Sequence, residues 1–396
     1  MTHVIQQSAR LKLPLWILYI DLSTFFGRMD RRVTSIAEAL HGLPAEVSEL
    51  AERIYGKACG EGETEPDGQC VTCHYDSAGG LGEGFQNHMG ALMGCVLSPD
   101  KAKLLLNTVL VAIEAVCSGV ELWGFDVEAA ARRVCHMAFA DDWCGTFQTL
   151  GDLRNAWKVW TMWEAVSGSK LGVKAQLKTV VTGVRYVDGV AKAMVDPQLH
   201  MRDGSTVPFL RHDEAYKHLG NMRRADGDDA AAWKKLRGVM EAALARLRRL
   251  RRVTAREFIA VSNALIGGLA GYYLQTLYVT FEQAEIIERK WRSIYRRKFG
   301  ESLEEAGSKP RVYYYRPVKA GGLRRLHLWG VGLAALTSNV NNAVADVDDT
   351  TQRAAARSMV ALAMERWGCR SDPQHWQWEH LAADIETSLA RSKCRQ

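Results

Sequence analysis

The stretch Met137-Ala138-Phe139-Ala140-Asp141-Asp142-Trp143-Cys144-Gly145-Thr146-Phe147 sets two adjacent carboxylates between two short apolar runs. Both runs are rich in β-branched, aromatic and small residues. The pattern predicts a hairpin: Arg133 to Ala140 as one strand, the Asp pair at or beside the turn, and Trp143 to Phe147 as the other strand. Aspartate is a favoured turn residue, and turn chemistry alone would account for the pair. Adjacent like charges also repel, and neither is easily buried without a counter-charge. A divalent cation relieves both costs, and hard oxygen ligands suit magnesium. The stretch by itself leaves both readings open.

Working outward, Leu15-Trp16-Ile17-Leu18-Tyr19-Ile20 is a continuous apolar run behind Pro14 and reads as a buried strand with Asp21 at its C-terminal end. Carboxylates arriving from separate strands are what two-metal phosphoryl transfer requires, because they must converge on ions about 3.5–4 Å apart. Phe26 follows five residues after Asp21; an aromatic there could floor a sugar pocket and clash with a 2′-hydroxyl. Between the two carboxylate sites lies Gly90-Ala91-Leu92-Met93-Gly94-Cys95-Val96-Leu97-Ser98-Pro99. In it Gly94 permits close backbone approach to a ligand, and Ser98-Pro99 can start a helix.

The rest of the chain divides by texture. Residues 1–12 read as a polar helix, followed after the first strand by helices over Arg31–Leu40 and Ala45–Tyr55, then a Gly-rich stretch over 56–90 with a short strand at Val71–Tyr75. Further helices are predicted from Pro99 to Val116 and over 152–166, with a strand at Lys178–Thr182. Beyond Asp226 the pattern is nearly all helical. Leu236, Met240, Ala243, Leu247 and Leu250 form one apolar stripe, with Arg237, Arg246, Arg248, Arg249, Arg251 and Arg252 on the remaining circumference of a basic helix over 234–256.

The order Tyr-Ile-Asp-Leu-x-x-x-Phe, Gly-x-x-x-Gly-Cys-x-Leu-Ser-Pro, Phe-Ala-Asp-Asp, Gly…Lys-Thr and Tyr-x-x-Leu-Gly resembles motifs A to E of a reverse transcriptase, in the spacing of the non-LTR (LINE-like) retrotransposon branch. The resemblance covers about residues 13–222, and Gly321-Gly322-Leu323 extends it loosely to 330. It implies an α+β right-hand polymerase palm (a small antiparallel sheet backed by helices) over 1–222. A helical thumb over 223–305 and a mostly helical extension over 306–396 would follow. By the same resemblance Asp21, Asp141 and Asp142 would ligate two magnesium ions, with manganese a possible substitute, and Lys178 would be the general acid toward pyrophosphate. Phe26, Met93 and Gly94 would bind the incoming dNTP, Phe26 as steric gate, and Leu219-Gly220 would belong to the primer grip. Partners would be an RNA template and a DNA primer. Arg237, Arg246, Arg248, Arg249 and Arg252 would meet the phosphates of the hybrid, where backbone contacts suffice. Two departures stand out. Met93 occupies the place of the family's usual Gln, and motif A comes almost at the start of the chain, so by the resemblance the fingers strands would lie upstream of it. The alternative implied is an inactive remnant, or a maturase-like protein that binds RNA without catalysis.

Composition sets the outer bounds. At 396 residues two or three domains fit, and the proportions, 47% hydrophobic and 24% charged, are those of a soluble globular protein. A net charge of +6 permits an anionic partner without demanding one. Nine scattered cysteines, an odd number, argue for reduced thiols in an intracellular setting. Leu13 to Ile20 is too short for a signal peptide, and nothing approaches a membrane span, so no membrane partner is expected. Cys70-Val71-Thr72-Cys73-His74 matches a haem-attachment pattern, with Cys59 a further zinc-type ligand, but it falls where the family places a variable hairpin. Trp143, Trp157, Trp160 and Trp163 read as core.

Overall fold

The computed structural model describes residues 1–23, 25–55, 97–122, 132–139, 142–172, 178–300, 312–315 and 323–332, with a few further positions, chiefly strand pieces between 72 and 86. The chain divides into two compact units, one of 10–121 and 133–214 with residue 1, the other of 2–9, 122–132 and 215–396.

The first unit is built on β1 (Leu15–Ser23), whose apolar run is buried on both faces from Leu15 to Ile20. The hairpin predicted around the Asp pair is present. β2 (His136–Phe139) and β3 (Asp142–Phe147) pair antiparallel with Phe139 opposite Asp142. The first arm is shorter than predicted: Arg132–Val134 is a separate strand, and at Cys135 the carbonyl turns to accept from Thr146 N instead. β4 (Lys170–Leu171), β5 (Val180–Val187), β6 (Val190–Ala193) and β7 (Phe209–Leu210) complete a seven-stranded sheet. Its main order is β6-β5-β1-β3-β2, with β4 on β1 and β7 on β5. β7 runs parallel to β5 and the other pairings are antiparallel.

Alternation along the strands decides which side each residue serves. Trp16, Leu18 and Ile20 of β1 and Trp143 and Phe147 of β3 enter one core. There they meet Leu105, Val109 and Ile113 of helix α4 (Ser98–Val116) and Leu153, Ala156 and Trp160 of α5 (Leu150–Ser167). Trp143 and Trp160 meet edge-on at 5.2 Å and Trp160 meets Trp163 at 5.3 Å, so the tryptophans are core, as read. Gly145 is required among them: a Cβ there would lie 2.6 Å from Phe147 Cζ and closer still to Trp143. Helices α2 (Arg31–Leu40) and α3 (Ala45–Tyr55) match their predicted spans, α2 because Asp30 caps the amides of Arg32 and Val33. Glu38 of α2 is fully buried against Lys101 of α4 and accepts from Ser48 Oγ of α3 at 2.6 Å.

The second unit is helical: α6 (Ala230–Arg249), α7 (Ala255–Leu274) and α8 (Phe281–Phe299), with residues 2–9 of helix α1 (Thr2–Leu11). Leu236, Met240, Leu244 and Leu247 of α6 pack with Phe258 and Ile266 of α7 and Ile287, Trp291 and Tyr295 of α8. Capping boxes at Thr254/Glu257 and Thr280/Gln283 start α7 and α8. The first of these corrects a prediction. The basic helix ends at Arg249 rather than running to 256, because Thr254 opens a new helix and the backbone leaves helical geometry at Leu250. A hairpin, β8 (Tyr216–His218) with β9 (Asn221–Arg223), also belongs to this unit. No helix among the described residues is long and apolar enough to cross a membrane.

Candidate active site and nucleic-acid surface

In the β1–β3 register Asp21 stands directly opposite Asp142. Facing residues of an antiparallel pair have Cα atoms about 4.5–5.5 Å apart and share a face. Ile20 and Trp143, the pair before them, enter the helix-covered core, so alternation turns both carboxylates to the other side of the sheet. Asp21 is not the last residue of its strand: β1 continues through Ser23, because β4 takes up pairing at Leu22 and Ser23. Asp141 lies outside the described residues.

Asp21 is closely held. Lys178 Nζ donates to both its carboxylate oxygens, at 3.1 and 2.9 Å. Its backbone carbonyl accepts from Gly172 N at 2.8 Å, and Gly172 O in turn accepts from Thr179 N at 2.9 Å. Gly172, just after β4, and Lys178, just before β5, therefore both reach Asp21. A Cβ on Gly172 would stand 3.0 Å from Asp21 Oδ2. Gly172 was not singled out from sequence; its signal was a glycine following the Lys170-Leu171 strand piece. Lys178 lies before β5 rather than on the predicted strand at 178–182.

Two carboxylates on one rung, with an ammonium already drawn to one of them, form a donor set that suits a hard cation. Among the described residues no three His, Cys, Asp or Glu side chains gather as a metal site, Asp141 being outside that set. Phe26 lies on the single helical turn Phe25–Arg28, its ring 5.9 Å from that of Phe25, and is partly buried against the core. Met93, Gly94, Cys59, Cys70 and His74 lie outside the described residues, as do the side-chain surroundings of Cys73.

Leu219 and Gly220 form the tip of the β8–β9 hairpin, with φ of +45° and +76°. Two successive positive φ values make the tight turn that suits a two-residue hairpin. Tyr272 Oη of α7 donates to Leu219 O, and Lys235 Nζ of α6 donates to Gly220 O, so both tip carbonyls are pinned to helices. A Cβ on Gly220 would meet Tyr272 Oη at 3.0 Å. His218, at the base of the tip, is buried, and burial lowers its pKa to about 4. Neither Tyr272 nor Lys235 was legible as a partner, since each contact depends on helix packing.

The apolar stripe of α6 faces inward as predicted, with Leu250 partly buried just past its end. Arg237, Arg246, Arg248, Arg249, Arg251 and Arg252 are exposed. They are not equivalent. Arg237 Nε is bonded to Glu241 at 2.9 Å, and Arg252, off the helix, has φ +52°.

No protein-family model and no curated protein sequence matches the chain. Among solved structures it resembles is telomerase from Candida albicans in complex with the TWJ fragment of telomeric RNA, at TM-score 0.37 and 11% identity over 77% of this chain and 50% of that one. Another is telomerase from Candida tropicalis with the same kind of fragment, at TM-score 0.32 and 11% identity over 90% of this chain and 51% of that one. This chain spans about half the length of each. Likenesses this slight carry no argument about what the chain does.

Proposed function

We propose that the chain carries the palm and thumb of an RNA-directed DNA polymerase of the non-LTR retrotransposon kind, extending a DNA primer on an RNA template with dNTPs. The observation that carries this reading is the Asp21–Asp142 register pair, formed by two segments 121 positions apart whose motifs read in the same order as those of reverse transcriptases. Asp21, Asp141 and Asp142 would hold two magnesium ions. Bound there, the ions would activate the primer hydroxyl and neutralise the departing pyrophosphate. Lys178 holds Asp21 and carries a proton within reach of the same carboxylate, a position suited to a general acid. Phe26 would exclude the ribonucleotide 2′-hydroxyl, with Met93 and Gly94 lining the same nucleotide site. The pinned Leu219-Gly220 tip would support the primer end.

The test is primer extension on an RNA template with magnesium. Asp141→Asn should reduce extension by about 100-fold or more, on the scale of losing one electrostatic contact to the transition state. Its thermal midpoint should stay level or rise, because a crowded negative charge is gone. A fall in midpoint matching the fall in activity would assign Asp141 a structural role instead. The exposed arginines of α6 favour a second reading, an RNA-binding protein without catalysis. Wild-type chain that binds primer–template and extends nothing, with magnesium or manganese, would decide for that reading.

A further inference from the structure

Helices α6 and α8 run side by side in the second unit and leave between them a recess of about 730 Å3. Arg248 and Arg249 enter it from α6, and Lys290, Arg297 and Lys298 from α8, over an apolar floor of Leu244 and Ile294. Among the described residues Glu241 is the single carboxylate on its wall. That charge is already engaged, since Lys290 and Arg237 both bond to it and hold its carboxyl below the usual range.

An ordinary explanation exists for some of these cations. Basic side chains in the last turn of a helix complement its dipole and its free carbonyls. Lys298 does this directly, by donating to Leu250 O beyond the end of α6. Arg248, Arg249 and Arg297 also stand in last turns, but among the described residues none of the three side chains makes a hydrogen bond or ion pair. Three unengaged guanidiniums from two helices therefore converge on one recess, against their own repulsion. Guanidinium forks match phosphate oxygens in pairs, and apolar walls strengthen the field within a cleft.

We infer that the α6–α8 groove binds a single-stranded nucleic acid by its phosphodiester backbone, so that Arg248 and Arg249 serve this strand and not the hybrid duplex to which the resemblance assigns them. A base that is free of a duplex can turn onto an apolar floor, which a paired base cannot, so such a seat favours a single strand. The floor of Leu244 and Ile294, with the Ser293 hydroxyl beside it, offers a sugar or base an apolar seat and one hydrogen bond. The groove also divides the arginines that the sequence presents as one face. At about 100° per residue, Arg246 stands about 200° round the helix from Arg248 and is directed elsewhere. The inference does not depend on polymerisation.

The test uses the full chain and a short fluorescent single-stranded RNA, titrated across a salt series without nucleotides. The double variant Arg248→Gln with Arg297→Gln should bind at least about tenfold more weakly and lower the log–log salt slope by about 1.4, two contacts at about 0.7 each. Arg185→Gln with Arg256→Gln, an equal change in charge at two exposed arginines outside the groove, should leave both nearly unchanged. Ser293→Trp, which fills the recess without altering charge, should also abolish binding. Equal losses from the Arg185/Arg256 and groove double variants would overturn the inference, as would full binding by Ser293→Trp. So would equal competition by an RNA–DNA hybrid duplex. A single-stranded DNA of the same sequence tells which sugar the groove accepts, and binding of either strand through the groove supports it. Asp141→Asn should bind the RNA as wild type does. Failure of primer extension with groove binding intact would therefore count against the polymerase reading alone.

Discussion

The carboxylate pair of the first unit and the basic groove of the second are both concentrations of like charge, yet they are held in opposite ways. Asp21 is gripped on every side the chain can offer: Lys178 on its carboxylate, Gly172 on its carbonyl, and β3 and β4 along its strand. In the groove, Arg248, Arg249 and Arg297 bond to nothing among the described residues. A charge whose partner comes from its own chain is fixed in place before any ligand arrives, at the cost of having to exchange that partner. A charge left without one keeps its full attraction for an outside partner and contributes little to folding. The difference therefore predicts where substitutions will hurt stability and where they will hurt binding.

The sharpest test of the gripped kind is Glu38. Its side chain is completely buried, bonded to Lys101 and Ser48 across three helices. Glu38→Ala leaves Lys101 charged and buried with no counter-charge, an arrangement that costs about 3–5 kcal/mol. Equilibrium urea unfolding should show that loss, and most of it should return when Lys101→Met is added to Glu38→Met. A loss below about 1 kcal/mol would mean that the pair is solvated, and the contrast with the groove would fail at its strongest point.

Glu38 also marks the limit of what the sequence disclosed. Elements announced by local chemistry were legible: α2 and α3 over their whole spans, α4 from Ser98-Pro99, and the β2–β3 hairpin from the two apolar runs around the Asp pair, though its first arm is shorter than predicted. The Asp21–Asp142 register was expected only through the order of the motifs and the needs of two-metal chemistry, since neither apolar run says where the other lies. Contacts between residues far apart carry no such local signature. Lys101 bonds Glu38 across 63 positions, and Gly172 approaches Asp21 across 151. Periodicity likewise identified the arginines of α6 as outward-facing but could not divide them, since the groove exists only where α8 lies alongside.

His218 offers an intermediate case, a titratable group kept from charging by burial. Its pKa falls from 6.5 to about 4, with desolvation the main cause and the Arg223 guanidinium adding to it. The unfolded chain therefore takes up a proton near pH 6.5 that the folded chain refuses until near pH 4. The stability this contributes is complete above pH 6.5 and drains away as pH falls through that window, by up to about 3 kcal/mol. Unfolding free energies of wild type and His218→Gln, measured from pH 7.5 to 4, should differ in slope over that interval. Parallel curves would show that His218 charges freely in the folded hairpin.

The smallest expected effect decides the comparison from the other side. Arg248→Gln, Arg249→Gln and Arg297→Gln should each change folding stability by no more than about 0.5 kcal/mol, since exposed and unpaired charges contribute little. Combined, the three should bring no loss and a slight gain, because the substitutions relieve repulsion among cations lining one recess. The gain should shrink with added salt, as the screening length falls from about 10 Å at 0.1 M to about 3 Å at 1 M. A combined loss above about 1 kcal/mol, insensitive to salt, would show the arginines serving the ends of α6 and α8 after all. The groove would then be held by its own chain in the same way as Asp21, and the distinction between the two charge clusters would disappear.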